Sequence, residues 1–177
     1  KREKGLNHQI KMPNIQGPEN LKSDLELRKD LKSKIPKDYL PMWLREREIE
    51  TRQVEPVDLL KAEKLPPYRS TWMKPTGKLP ADERIHQALL LYVSDMGLLG
   101  AAVNPHEVNF MSSKFQSASL DHVMWFHGKV NFNNWVLHHM HSPISQNARG
   151  FSRGSIYTKA GKLIASTAQE GLMRIWD

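Results

Sequence analysis

Asp95 is the acid whose surroundings most suggest chemistry. Its neighbours three and four residues away along a helix are Leu91, Tyr92, Leu98 and Leu99, so a helical Asp95 faces an apolar stripe. An unpaired carboxylate there is costly, and the residue needs hydrogen-bond partners or a raised pKa. Two readings stand: the helix reaches the surface at Asp95, or Asp95 is a general base. Two polar strand positions could complement a base: Ser119, in Gln116-Ser117-Ala118-Ser119-Leu120-Asp121-His122, and Gln169, in Ala165-Ser166-Thr167-Ala168-Gln169-Glu170-Gly171. Taken singly, such residues are commonly solvent-facing or paired across strands, and spacing alone does not place them beside Asp95. The expectation is that no serine sits in a G-x-S-x-G nucleophile elbow, so a serine-hydrolase triad is not expected. The absence of cysteine excludes a thiol nucleophile, a CxxC redox pair, thiolate metal sites and disulfides. His139 and His141 share one face of a strand, a candidate pair of metal ligands, but no third ligand lies nearby in sequence. The expectation is no metal and no cofactor, with these histidines packed on a sheet.

The elements that must position these residues follow from a change of composition along the chain. The 177 residues carry 26 Lys and Arg against 19 Asp and Glu, a net charge of +7, with a mean hydropathy of −0.58. Residues 1 to 80 hold 18 basic and 12 acidic side chains and nine of the eleven prolines. The signs interleave, as in Lys29-Asp30-Leu31-Lys32-Ser33-Lys34, and no basic cluster coincides with stacking aromatics, so no nucleic-acid partner is expected. Residues 1–47 read as a charged, proline-containing, solvated linker with some helix around Leu21 to Lys32. Lys1 to Lys4 lead into polar sequence rather than an apolar signal segment, and the missing initiator Met reads as a fragment.

Residues 48–177 read as the folded domain. Strands are expected at Ile49 to Val54 and Tyr68 to Lys74, from their alternation. Pro80, Asp82 and Glu83 start a helix that runs to about Val103 and is apolar on nearly every face, as for a helix enclosed by other structure. Its most apolar stretch, Ala88 to Val103, falls short of a membrane span and is interrupted by Ser94 and Asp95. Strand-like runs follow at Val108 to Ser112, Ser117 to Phe126, Trp135 to His141, Gly150 to Thr158 and Leu163 to Trp176, with Lys159-Ala160-Gly161-Lys162 as a hairpin turn. One long buried helix and a largely antiparallel sheet make an α+β domain.

Several motifs carry a resemblance. They are Ser119-Leu120-Asp121-His122-Val123-Met124-Trp125-Phe126-His127, Ala148-Arg149-Gly150 and Ser166-Thr167-Ala168-Gln169-Glu170-Gly171-Leu172-Met173-Arg174, with His86-Gln87, Tyr92-Val93-Ser94-Asp95 and Asn104-Pro105-His106 in the same order. The chain resembles the type II acyl-CoA thioesterases, strongly over Glu48 to Asp177 and more weakly over Gly5 to Leu21. The resemblance implies a hotdog fold, an antiparallel sheet wrapped around one long central helix, and a chain holding the linker and second of two hotdog repeats. It implies hydrolysis of acyl-CoA to free fatty acid and coenzyme A by an activated water, with low activity expected of this chain without the first repeat. Asp95, Ser119 and Gln169 would be the catalytic trio, Ser119 standing where Thr is frequent. The implied partners are an acyl-CoA substrate and a second hotdog repeat or a homo-oligomer. Arg149, Arg153 and Arg174 could meet coenzyme A phosphates or pair across strands. The rival is a non-catalytic hotdog module for acyl-group binding or dimerisation. The basic charge and lysine-rich linker resemble fungal members more than bacterial ones, and eukaryotic members of the family imply a peroxisomal matrix location, with the cytoplasm as the alternative, although Trp176-Asp177 is not the end of a peroxisomal tripeptide.

Overall fold

The computed structural model describes residues 4–58, 60–108, 110 and 112–176. The expected strand Val108 to Ser112 includes Asn109 and Met111, which lie outside the described residues, as does Asp177. The described elements are, in chain order, α1 (Asp24–Asp30), α2 (Leu40–Trp43), β1 (Ile49–Gln53), β2 (Tyr68–Pro75), α3 (Glu83–Ser94), α4 (Leu98–Val103), β3 (Phe115–Ser119), β4 (Val123–Phe126), β5 (Val136–Gln146), β6 (Arg149–Thr158) and β7 (Leu163–Ile175). The strands form one antiparallel sheet in the order β1-β2-β5-β6-β7-β3, with β4 also paired to β7. This is a hotdog arrangement, in which the sheet curls around α3 and α4.

The helix begins as its sequence predicts. The Asp82 carboxylate accepts from the Arg84 amide at 3.0 Å, capping the first turn. The expected single helix is interrupted after Ser94. Gly97 takes φ 86°, a left-handed conformation open to glycine at little cost, and α4 resumes at Leu98. Counted together, Glu83–Val103 is long and apolar enough for a membrane span. A core helix passes the same test, and this one packs on the sheet. Leu90 and Val93 join Met73, Phe132, Val136, Ile156, Ile164 and Ala165 in the main core, while Leu98 and Ala101 pack with Met140.

The helix is not enclosed on every side. Ile85, Leu91, Tyr92 and Met96 are exposed, as are Leu120, Val123, Trp125 and Phe126 of the β3–β4 region. The segment before β1 is also less solvated than its composition suggests. Met12, Ile15 and Leu21 pack against Trp72, Leu137 and Tyr157 on the outer face of the sheet. The Trp72 indole donates to Gln16 O at 2.9 Å, and the Gln9 amide bridges Gly161 O and Leu163 N. Each such bond between distant residues offsets the entropy of ordering a polar chain only where apolar burial accompanies it, as it does beside Trp72.

Candidate functional site

Asp95 is the C-cap of α3, immediately before the glycine break. The helix ends there, so the i+3 and i+4 template that placed Leu98 and Leu99 beside it does not hold. Its side chain is 48% exposed, and it has the hydrogen-bond partners that a carboxylate in an apolar neighbourhood requires.

The partners come from β3 and β7, and register explains how. Ser119 faces Gly171 in the β3–β7 ladder, and Val123 of β4 faces Ala168. Three residues, Leu120, Asp121 and His122, therefore span the gap opposite only Gln169 and Glu170. The loop is pinned to β7: the Leu120 amide donates to Glu170 O at 2.9 Å, and the Glu170 amide donates to Asp121 Oδ1 at 2.8 Å. Ser119 is thereby held on the helix-facing side, in line with Gln169 and Gly171.

Ser119 Oγ donates to Asp95 Oδ1 at 2.9 Å, and Gln169 Nε2 donates to the same oxygen. The three residues named from the sequence are thus brought together. Asp95 Oδ2 has no hydrogen-bond partner among the described residues. Gln169 is 1% exposed and forms the floor of the site, while Ser119 and Asp95 sit at its open side.

A fourth member is His122, which the sequence places only within the motif and the expected strand Ser117 to Phe126. Its Nδ1 lies 3.2 Å from Gln169 Nε2 and 3.9 Å from Asp95 Oδ1, and its Nε2 lies 2.8 Å from Ser94 Oγ. Ser94 Oγ donates to Leu91 O at 2.8 Å, so it accepts from His122 Nε2–H. His122 Nδ1 is then an acceptor for the second Gln169 amide hydrogen. The Gln169 amide is held by two acceptors, and the chain Leu91 O, Ser94, His122, Gln169, Asp95 is fully directed. The signal available in the sequence was the spacing that puts His122 three residues after Ser119, at the end of the pinned loop.

The remaining candidates fall elsewhere. His139 Nδ1 is 3.0 Å from Ser70 Oγ on the outer sheet face, and burial followed by the His141 charge holds its pKa below the ordinary value. Among the described residues no group of three His, Cys, Asp or Glu side chains is arranged to hold a metal. Arg149 pairs with Glu170 at 3.1 Å, Arg153 lies over the Phe151 ring, and Arg174 lies over the Trp176 ring. Gly150-Phe151-Ser152-Arg153-Gly154 does match the G-x-S-x-G spacing, contrary to the expectation that no serine does. It lies inside β6 with Ser152 1% exposed, not on a strand-to-helix turn, so it is no nucleophile elbow.

Comparisons with known proteins bear on the family and the fold. Residues 43–172 match the acyl-CoA thioesterase family. The chain is 35% identical over 172 residues to acyl-CoA thioesterase 2 of Haemophilus influenzae, covering 97% of this chain and 60% of that protein. A weaker relative, the peroxisomal acyl-coenzyme A thioester hydrolase 1 of Saccharomyces cerevisiae, is 32% identical over 51% of this chain and 26% of its own length. The crystal structure of an acyl-CoA thioesterase II from Mycobacterium marinum superposes with TM-score 0.72 and 28% identity over 99% of this chain and 60% of that one. A hotdog-fold protein from Alicyclobacillus acidocaldarius superposes with TM-score 0.67 at 15% identity, over 100% of this chain and 60% of that one. The chain therefore spans about 60% of the length of these fuller matches, and with its family match covering the loop that carries His122 and running into β7, it belongs to the acyl-CoA thioesterase family.

Proposed function

We propose that this chain carries the hydrolytic residues of an acyl-CoA thioesterase, with Asp95 as general base and Ser119 and Gln169 as the groups that orient it. The observation that carries the reading is the convergence of two donors, Ser119 Oγ and Gln169 Nε2, on one oxygen of Asp95. That leaves Oδ2 to take a proton. A water held at Oδ2 attacks the thioester carbonyl carbon while Asp95 accepts its proton. The tetrahedral intermediate collapses with cleavage of the carbon–sulfur bond, and the proton passes to the departing thiolate, giving free fatty acid and coenzyme A. No covalent acyl-enzyme forms, which accords with the absence of cysteine and with the burial of Ser152. Gly97, exposed beside Asp95, supplies the candidate backbone N–H for the developing oxyanion.

Residues 1–47 act in this reading as the linker and residues 48–177 as the hotdog domain. The exposed stripe of Ile85, Leu91, Tyr92 and Met96 beside Asp95 supports a second hotdog repeat or a second copy of this chain as the cover of the acyl-binding side. Light scattering should find the isolated chain as a dimer at micromolar concentration, and a stable monomer would oppose the second-copy alternative. Peroxisomal residence rests on the partial yeast relative, and imaging of the fluorescently tagged protein in a eukaryotic cell checks it.

The function is tested with a panel of acyl-CoA substrates followed by release of free thiol, for the chain alone and joined to an upstream hotdog repeat. Asp95→Asn should lower turnover by roughly 10²–10⁴-fold with the melting temperature little changed. Ser119→Ala and Gln169→Ala should each cost less, because they orient the water and the base without taking the proton. Turnover by Asp95→Asn near that of the parent would remove Asp95 as the base. Acyl-CoA binding without any hydrolysis would favour the non-catalytic module.

A further inference from the structure

Beneath the helix break, the inner face of the sheet is polar where a core would be apolar. His138 of β5, Ser152 of β6, and Thr167 and Gln169 of β7 are 0%, 1%, 3% and 1% exposed. Three of their atoms, His138 Nδ1, Ser152 Oγ and Gln169 Oε1, have no hydrogen-bond partner among the described residues. A buried polar atom without a partner destabilises a fold by an amount comparable to a lost hydrogen bond, so such atoms are rare and call for an explanation. Two of the three face one another. Ser152 and Gln169 are register partners across β6 and β7, with both side chains on the helix side.

The residues flanking Ser152 isolate this pair. Two positions away in either direction along the inner face of β6 stand Gly150 and Gly154. The space of a Cβ at Gly150 is taken by Met173 Sδ and Ala102 Cβ. At Gly154 it is taken by His138 Nε2, which reaches across the strand to within 3.2 Å of Thr167 Oγ1. His138 is engaged there through Nε2, and burial holds its pKa down to about 3, so it is uncharged at neutral pH. Between the two glycines, Ser152 is the one β6 side chain on this face, and the hydroxyl it carries complements the acceptor that Gln169 lacks a donor for.

The orientation of Gln169 matters to the site. A side-chain amide can sit in two flipped states. With Nε2 towards Asp95 it donates to the carboxylate and to His122; flipped, it sets Oε1 against the carboxylate and leaves Ser119 as the lone donor to it. The acceptors Asp95 Oδ1 and His122 Nδ1 select the first state, and a donor behind Oε1 is what that state still requires. We propose that Ser152 is a positioning residue for Gln169, its hydroxyl donating to Gln169 Oε1 directly after a turn of χ1 or through one bridging water. Ser152 thus locks the amide that orients Asp95 and does not touch the substrate itself. Its place in catalysis rests on the thioesterase reading above; its place behind Gln169 does not.

The primary test needs no activity. In the chain labelled with ¹⁵N-glutamine, the Gln169 side-chain amide is identified by its loss in Gln169→Glu. Ser152→Ala should shift that resonance pair and speed its exchange with solvent by about tenfold, as expected for one lost buried hydrogen bond, and Ser152→Thr should restore both. An unchanged Gln169 amide in Ser152→Ala would overturn the proposal. In the unsubstituted chain, a high-resolution crystal structure should show Gln169 Oε1 joined to Ser152 Oγ by one hydrogen bond or one water; Oε1 bonded to any other donor would overturn it even if the variants did not fold. A kinetic arm then reads the consequence: Ser152→Ala should lower kcat about tenfold with KM unchanged, and Ser152→Thr should recover it. If the unsubstituted chain hydrolyses no acyl-CoA even when joined to an upstream hotdog repeat, the thioesterase reading fails while the amide resonances still decide the role of Ser152. Unchanged kcat in Ser152→Ala beside a perturbed amide would overturn the catalytic part.

Discussion

At the α4 end of the sheet's inner face the contact is dry and built from the smallest side chains; at the end under the α3 terminus it is polar and crowded with hydrogen-bonding groups. Gly100, Ala101 and Ala102 are buried where α4 lies on β5, β6 and β7, and Gly150 and Gly171 admit Ala102 and Leu99 to within the space of a missing Cβ. A few residues along the same strands, Gly154 admits an imidazole instead of a helix. One residue type serves two ends: close approach of the backbone layers on one side, and space for a buried histidine on the other. The rigid contact fixes α4 and with it the glycine break, and the break aims Asp95 at the polar end. Asn104, at the far end of α4, strengthens that anchor. It accepts from Arg69 at 2.7 and 3.0 Å and donates to Pro66 O and Tyr68 O at 3.1 Å.

The comparison breaks most severely at Gly154. A Cβ there would lie 2.1 Å from His138 Nε2 and 2.3 Å from Thr167 Oγ1, so Gly154→Ala must expel the ring from a fully buried place and separate it from Thr167. Overpacking at about 1–3 kcal/mol and a buried polar partner lost at about 1–3 kcal/mol act together. The expected loss is roughly 2–6 kcal/mol, read as a fall in the urea midpoint. A variant as stable as the parent would show that His138 has another rotamer available and that the polar end is loosely built.

At the dry end the effect should be smaller. Gly150→Ala brings a Cβ to 2.5 Å from Ala102 Cβ and 2.4 Å from Met173 Sδ. The methionine can swing aside, whereas Ala102 moves only with α4. A loss of about 1–3 kcal/mol is expected, with turnover falling through the shifted helix break as well as through the folded fraction. Loss of stability with turnover per folded molecule unchanged would uncouple α4 from the aim of Asp95.

Much of this layout was legible in the sequence, and most of the parts that were not depend on partners far along the chain. β1, β2, β6 and β7 and the Lys159 to Lys162 turn follow from alternation and from Gly161, which adopts φ 83°. The break at Gly97 was hidden because apolar residues continue on both sides of it. Ser117 to Phe126 reads as one strand because nothing within it is Pro or Gly; the structure splits it at Leu120 to His122, where the Asp121 carboxylate takes the Glu170 amide from a strand 49 residues away. The packing of Met12, Ile15 and Leu21 was invisible for the same reason, since its partner Trp72 lies far along the chain. Asp95, Ser119 and Gln169 were named from motifs, but their meeting depends on long-range register that periodicity does not encode. His122 was in plain view and gained meaning only when that register set it beside Gln169.

The smallest effect expected is a dependence of stability on pH, and it separates the polar end from the dry one without altering a contact. His138 has its pKa held down to about 3, by burial first and then by the charges of His122 and His139, against about 6.5 in an unfolded chain. Between those values the unfolded state binds a proton that the folded state refuses, so stability is full above about pH 6.5 and declines as pH falls. The decline is about 1.4 kcal/mol for each unit below 6.5. His139, also shifted downward by burial, acts in the same direction. The carboxylates held low by their partners, Glu19, Glu26 and Asp82, lose their contribution only as pH approaches their ordinary values near 4, so the interval from pH 6.5 to 5.5 isolates the histidines. Urea midpoints measured across it should fall in the parent and fall less in His138→Asn, whose side chain does not titrate. Equal slopes in the two would mean that the His138 ring takes up a proton as readily in the folded chain as in the unfolded one, and would remove it as a buried group held neutral.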